Sequence, residues 1–335
     1  MNTALKGLLF STALLLAASA AQATVVVVDA AGNCTLQEAM QFVQGIVIET
    51  KCVDSGGGVD AVIMLETDAA LSESAWVDEV NVTIEGQGHT VAGTSAISAF
   101  IVYNRRLTLN NITVTGGNEG IAVRETGALT LNNATVRGNA GDGIVIGGGG
   151  ATLNNSTVSG NGGKGISSGF GSIILKNSTV SGNAVGIYAY KSSVFMQSSL
   201  VSGNSGFDIE NNASSWLEGG GFNVLGHSGK TNAEAFSSTF APNSTDVTAT
   251  SDGSRPTALA GILSPLADNG GLTQTHALPA GSPAIDLDED CLANLSADQR
   301  GISRPSGNGC DAGAFEFVAV VQHVNMVPVY KLLLD

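Results

Sequence analysis

From Leu107 onward apolar and polar residues alternate with a period of two, and the alternation returns at a fixed interval. The copies read LTLNNITVTGG from Leu107, LTLNNATVRGN from Leu129, ATLNNSTVSGN from Ala151 and IILKNSTVSGN from Ile173, followed by a looser VFMQSSLVSGN from Val194. One apolar position recurs at Leu109, Leu131, Leu153, Leu175 and Met196, in steps of 22, 22, 22 and 21 residues. Period two is strand spacing, and Gly, Asn and Ser between the runs leave no room for a helix. A second short apolar stretch opens in each copy at Gly120-Ile121, Gly143-Ile144, Gly165-Ile166 and Gly186-Ile187. Strands this short bury their apolar faces by winding, so that equivalent strands stack in parallel about 4.8 Å apart. The spacing therefore predicts an all-β fold: a right-handed parallel β-helix, a single-stranded solenoid with coils of about 22 residues, over residues 61–225. Leucine-rich repeats have a similar length but need a Leu and Asn spacing that is missing here. The Leu109 column and the Val114, Val136, Val158, Val180, Val201 column are the expected core.

The second Asn of each pair forms a column too: Asn111, Asn133, Asn155 and Asn177. Asn tolerates the left-handed backbone of a sharp bend and can bond its neighbours in the stack, so these residues are expected to form a structural ladder. They also match N-x-[ST] sequons, with glycosylation as the minor alternative. Gly-Asn steps at Gly138, Gly160, Gly182 and Gly203 mark the next corner.

A solenoid exposes an unpaired strand edge at each end and needs caps. Residues 24–60 fit an N-terminal cap, with apolar residues at 36, 39, 40 and 43 in helical spacing. Ahead of them, residues 1–23 carry Lys6, an uncharged run from Leu8 to Ala21, and Ala21-Gln22-Ala23. This is the pattern of a secretory signal peptide cleaved near Ala23, which places the mature chain outside the cell, secreted or at the cell surface. No later stretch is long and apolar enough for a transmembrane span.

Composition narrows the partners. The formal charge is −15, and loss of Lys6 with the signal makes it −16, so no nucleic acid is expected to bind. The four cysteines, Cys34, Cys52, Cys291 and Cys310, read as disulfides in an exported chain. Three connectivities are open; the two local ones, each closing a short loop near one end of the chain, are favoured. Each would contribute about 3 kcal/mol. Zinc is disfavoured by the spacing.

Two motifs carry a family resemblance. CTLQEAM, from Cys34, is similar to the CSLREA-type motif at the start of many secreted bacterial β-helix proteins, with Gln37 where that motif usually carries Arg. The series from Asn269-Gly270-Gly271-Leu272-Thr273-Gln274-Thr275-His276 through Gly281-Ser282-Pro283-Ala284-Ile285-Asp286, Asp298-Gln299-Arg300-Gly301 and Arg304-Pro305 to Cys310-Asp311-Ala312-Gly313-Ala314-Phe315-Glu316 resembles the choice-of-anchor Q domain. With the repeats, the resemblance covers most of residues 30–317. It implies a secreted or surface β-helix protein with a β-rich C-terminal region at 226–317, and it brings no established catalytic residues. The apolar tail 318–335 departs from anchored members: Met326-Val327-Pro328-Val329 opens like a sorting signal, but no apolar helix follows.

Since many β-helix proteins cut polysaccharides, acidic clusters are candidate sites. Glu119 and Asp142 each precede a Gly-Ile step and are expected on adjacent coils, a separation that suits a retaining glycosidase pair. Lys164 and Val185 continue the column, so a solvated turn with a compensating Lys competes with catalysis, and is preferred. Asp286, Asp288, Glu289 and Asp290 form the densest acidic run, and Asp286, Asp288 and Asp290 are its candidates for calcium, although an EF-hand needs a Gly and closing Glu that are missing. Asp298, Arg300 and Arg304 are expected to form an ion-pair knot. The chain thus reads as an exported structural or interaction protein, a rod for adhesion or glycan contact with polysaccharide or a cell-surface ligand as partner. A polysaccharide lyase or glycoside hydrolase is the alternative.

Overall fold

The computed structural model describes residues 24–319, apart from 30, 47–49, 54–59 and 213–214. The signal-peptide reading of 1–23 and most of the apolar tail lie outside these residues.

Each coil passes through three sheets. The second coil of the exact repeat contributes Ala128–Asn132 to the first sheet, Thr135–Arg137 to the second and Ile144–Ile146 to the third. Stacking gives parallel sheets of nine, nine and seven strands. Register follows the repeat: Leu109, Leu131, Leu153, Leu175 and Met196 stack in the first sheet, and Val114, Val136, Val158, Val180 and Val201 in the second. Both columns are buried. The stack continues toward the N-terminus, where Thr24–Val28 pairs in parallel with Asp60–Leu65. The cap helix Leu36–Val43 buries Leu36, Ala39 and Met40, and Thr35 and Glu38 cap its start reciprocally. Disulfides join Cys34 to Cys52 and Cys291 to Cys310, the two local closures.

The bends after the first sheet use the left-handed backbone at Asn111, Asn133, Asn155 and Asn177, with φ between 44° and 52°. Their side chains do not form one continuous ladder. Asn133 donates to Asn111 at 3.4 Å, but Asn155 donates to the carbonyl of Ala297 and Asn177 to that of Asp311. A continuous ladder runs instead from the next corner, after the Gly-Asn steps. There Asn139, Asn161, Asn183 and Asn204 bond in sequence at 2.8–3.0 Å, and the carboxylate of Asp208 terminates the series. All five are buried. Burial raises the Asp208 pKa to about 6, against the opposing hydrogen bonds from Asn204 and the charge of Lys230. A column of serines, Ser156, Ser178 and Ser199, occupies inward positions that hold Ile112 and Ala134 in earlier coils, and each hydroxyl accepts a backbone N–H from the coil before it.

The carbonyls accepting from Asn155 and Asn177 belong to the C-terminal region, which runs back over the outer face of the second sheet. It adds Val247–Thr248 to that sheet and a two-strand pair, Leu266–Ala267 with Thr275–His276, and is otherwise mostly loop. Thr157 donates to Gln299, Gln299 donates to Thr135, Ser159 bonds His276, and Ala314 N–H donates to Thr179. The outward threonines of this sheet are consequently buried. Asn155 and Asn177, covered and bonded, are closed to glycosylation.

Candidate functional site

With the second sheet covered, two faces remain. The outer face of the first sheet repeats a Thr-x-Asn pattern, and Asn154, Asn132, Asn110 and Glu85 bond in a chain at 2.6–2.9 Å. These polar groups are largely satisfied within the row.

The third sheet differs. Its outward row, in register, is Trp76, Ile101, Ala122, Val145, Ser167, Tyr188 and Glu210. Five strand spacings separate Trp76 from Tyr188, about 24 Å. Trp76 is 49% exposed and stacks on Tyr103 with centroids 5.3 Å apart and planes 6° from parallel. Near the other end Lys164 Nζ lies 4.7 Å over the Tyr188 ring. At the corner leading to the first sheet, Phe170 is 65% exposed and meets Tyr190 edge-on at 5.5 Å, with Lys191 Nζ 5.4 Å from both rings. Phe170 holds φ +67°, where a bulky side chain is costly by about 1–2 kcal/mol. Other coils place Glu125 and Lys191 in that conformation here. An aromatic kept in a strained turn with its ring in solvent gains nothing from burial.

Glu119 and Asp142 lie at the edge of this sheet, on adjacent coils, as their backbone pairing shows: Gly120 N–H donates to the Asp142 carbonyl. Their carboxylates serve separate structural bonds. Glu119 accepts from Ser98 at 2.8 Å and pairs with Arg124 at 3.5 Å, whereas Asp142 accepts the Lys164 backbone N–H at 2.7 Å.

The acidic run of the C-terminal region is also divided. Asp288 is buried and accepts from Ser198 and the Leu292 N–H, Asp286 accepts the Gly309 N–H, and Asp290 is exposed. Among the described residues no three His, Cys, Asp or Glu side chains converge as a metal site would require. Asp298, Arg300 and Arg304 do enter an ion-pair knot, completed by Glu316: Arg300 pairs with Asp298 and Arg304 with Glu316, each at 2.6 Å. The Arg304–Glu316 pair is fully buried, and Arg304 also donates to the carbonyls of Asp311 and Gly313. Burial raises the neighbouring Asp311 to about 7, with Glu316 adding to the rise and the hydrogen bonds from Phe317 and Asp286 opposing it. The knot clasps the C-terminal region upon itself.

The period-two alternation does not single out Trp76, Phe170 or Tyr190. The available signal was compositional: Phe170 stands where the turn chemistry of the other coils calls for Gly or a polar residue.

The family model described as a right-handed β-helix region matches residues 81–254. Among solved structures, the crystal structure of pectate lyase Pel9A aligns with 76% of this chain and 88% of its own at 16% identity and a TM-score of 0.34, which says nothing of activity here. No curated protein matches.

Proposed function

As this chain belongs to the right-handed β-helix family, we propose that it is an exported, non-catalytic rod that contacts extended glycans along its third sheet and the adjoining aromatic corner. The observation that carries this reading is Phe170, held in a left-handed turn with its ring exposed beside Tyr190 and under Lys191. The apolar C–H face of a pyranose ring suits such a surface, and rigid aromatics lose little entropy on contact. The structural engagement of Glu119 and Asp142 supports binding over bond cleavage.

The test is retention of purified protein on insoluble or gel-embedded polysaccharides, both uronic and neutral, with product release measured in parallel. Retention by at least one polymer, weakened about tenfold in Phe170→Ala, is the expected result, a loss typical of a contact residue. Release of sugar products that disappears in Glu119→Gln or Asp142→Asn would replace this reading with that of a lyase or hydrolase. Equal retention of Phe170→Ala and wild type would move the contact face elsewhere.

A further inference from the structure

The cap helix presents Gln37, Met40, Gln41 and Gln44 on one face, the i, i+3, i+4, i+7 positions. Opposite lies the strand Ala75–Val77 with Trp76, and Glu73 just before it. These residues line a pocket of about 220 Å³. Gln44 is only 9% exposed. Its Oε1 accepts the backbone N–H groups of Asp78 and Glu79 at 3.0 and 2.8 Å, which fixes the amide's orientation. The Nε2 group is left buried with no acceptor among the described residues, and Gln37 Oε1 is left buried with no donor.

A buried polar group without a partner costs about 1–3 kcal/mol, a cost at Gln44 Nε2 and Gln37 Oε1 that the stability of the cap does not explain. Together they offer a donor and an acceptor beside a rigid indole, since Trp76 is backed by Tyr103. A hydroxyl both accepts and donates, and neighbouring hydroxyls on a sugar ring satisfy such a pair while the ring's apolar face meets the indole. The pocket is smaller than the roughly 300–1,000 Å³ of drug-sized sites, so it holds one ring rather than a chain. Glu73, which accepts from Gln41 at 2.9 Å, places a carboxylate on the lining with no cation among the lining residues. That charge repels uronates.

We propose that this pocket binds a single neutral pyranose unit. The inference rests on the glycan-contact reading above, and it concerns a pocket at the N-terminal end of the rod that shares Trp76 with the extended face. It is tested on the mature chain by calorimetric titration with a panel of neutral methyl pyranosides and with methyl uronosides. The expected result is one-site binding of at least one neutral pyranoside with a millimolar Kd, weakened about tenfold or more by Gln37→Met and abolished by Trp76→Ala. Gln37 makes no other side-chain hydrogen bond, and a thermal melt of each variant confirms that the cap is folded. Uronosides binding as tightly as neutral sugars, titrations flat across the panel, or an isotherm unchanged in both folded variants would each overturn the proposal. Because polymer retention is read through Phe170→Ala, flat titrations alongside Phe170-dependent retention would sink the pocket alone. Intact sugar titration without Phe170-dependent retention would sink the extended face alone.

Discussion

Phe170 sets apart conformational cost from function at a single position. Glycine adopts φ +67° freely, so Phe170→Gly recovers the left-handed cost while losing the edge contact with Tyr190. The expected outcome in urea titration is a stability within about 1 kcal/mol of wild type, while polymer retention falls as in Phe170→Ala. Asparagine makes a second comparison. Asn132 and Asn161 both stack with equivalents one coil away, but Asn132 lies on the outer face and Asn161 inside the corner. Asn161→Ala leaves the backbone N–H and Nδ2 of Asn139 buried without an acceptor and is expected to cost about 3 kcal/mol, against less than about 1 kcal/mol for Asn132→Ala, both read from denaturant midpoints. Composition makes these residues look alike; enclosure separates them.

Among the elements, the strands of the repeat were legible because each is dictated by its own few residues. Alternation chooses the strand, Asn or Gly chooses the bend, and the interval chooses the register. The C-terminal region follows no such rule. Its anchors, Gln299 to Thr135 and Thr157, or Ala314 to Thr179, link residues more than 130 positions apart. No local periodicity announces them. Nor does the sequence say that the outward threonines beside the sequons are hydrogen-bond partners rather than open surface. The clasp of this region depends on Arg304 with Glu316. Arg304→Met leaves Glu316 as a buried, uncompensated charge, and about 3–5 kcal/mol of stability is expected to be lost. Replacing Cys291 and Cys310 by Ser is expected to cost about 3 kcal/mol, since the bridge spans 19 residues. Limited proteolysis of the two variants, followed by mass spectrometry, should show cleavage concentrated in residues 264–317 while the repeat stays intact.

At the scale of the whole molecule, the buried carboxyls of Asp208 and Asp311 hold their protons unusually well, near 6 and near 7. A carboxyl with a raised folded pKa binds its proton more tightly in the native than in the unfolded chain. Its stabilising effect is fully present below the ordinary Asp value of 3.8 and is lost as pH rises through the folded value. Between about pH 4 and about pH 7 these two groups therefore make the fold less stable as pH rises. His276, whose pKa is lowered by burial, acts in the opposite direction as pH rises toward 6.5. Asp311→Asn isolates one contribution: its thermal midpoint relative to wild type should improve between about pH 4 and about pH 8. A difference independent of pH would show that Asp311 titrates as in the unfolded chain.

The recurrence of Leu109, Leu131, Leu153 and Leu175, with Asn at each bend, was sufficient to specify coil length, sheet register and core columns, because every one of those features is settled by contacts between a strand and its neighbours one turn away. The same local logic identified the cap helix and left Cys34–Cys52 and Cys291–Cys310 as the favoured pairings. Three matters waited for the fold. They are which asparagine column lies inside, which sheet the C-terminal region covers, and which aromatic rings stay exposed and which glutamine amide atoms stay unpartnered. Each depends on how distant segments shield one another from water, a quantity that no interval along the chain encodes.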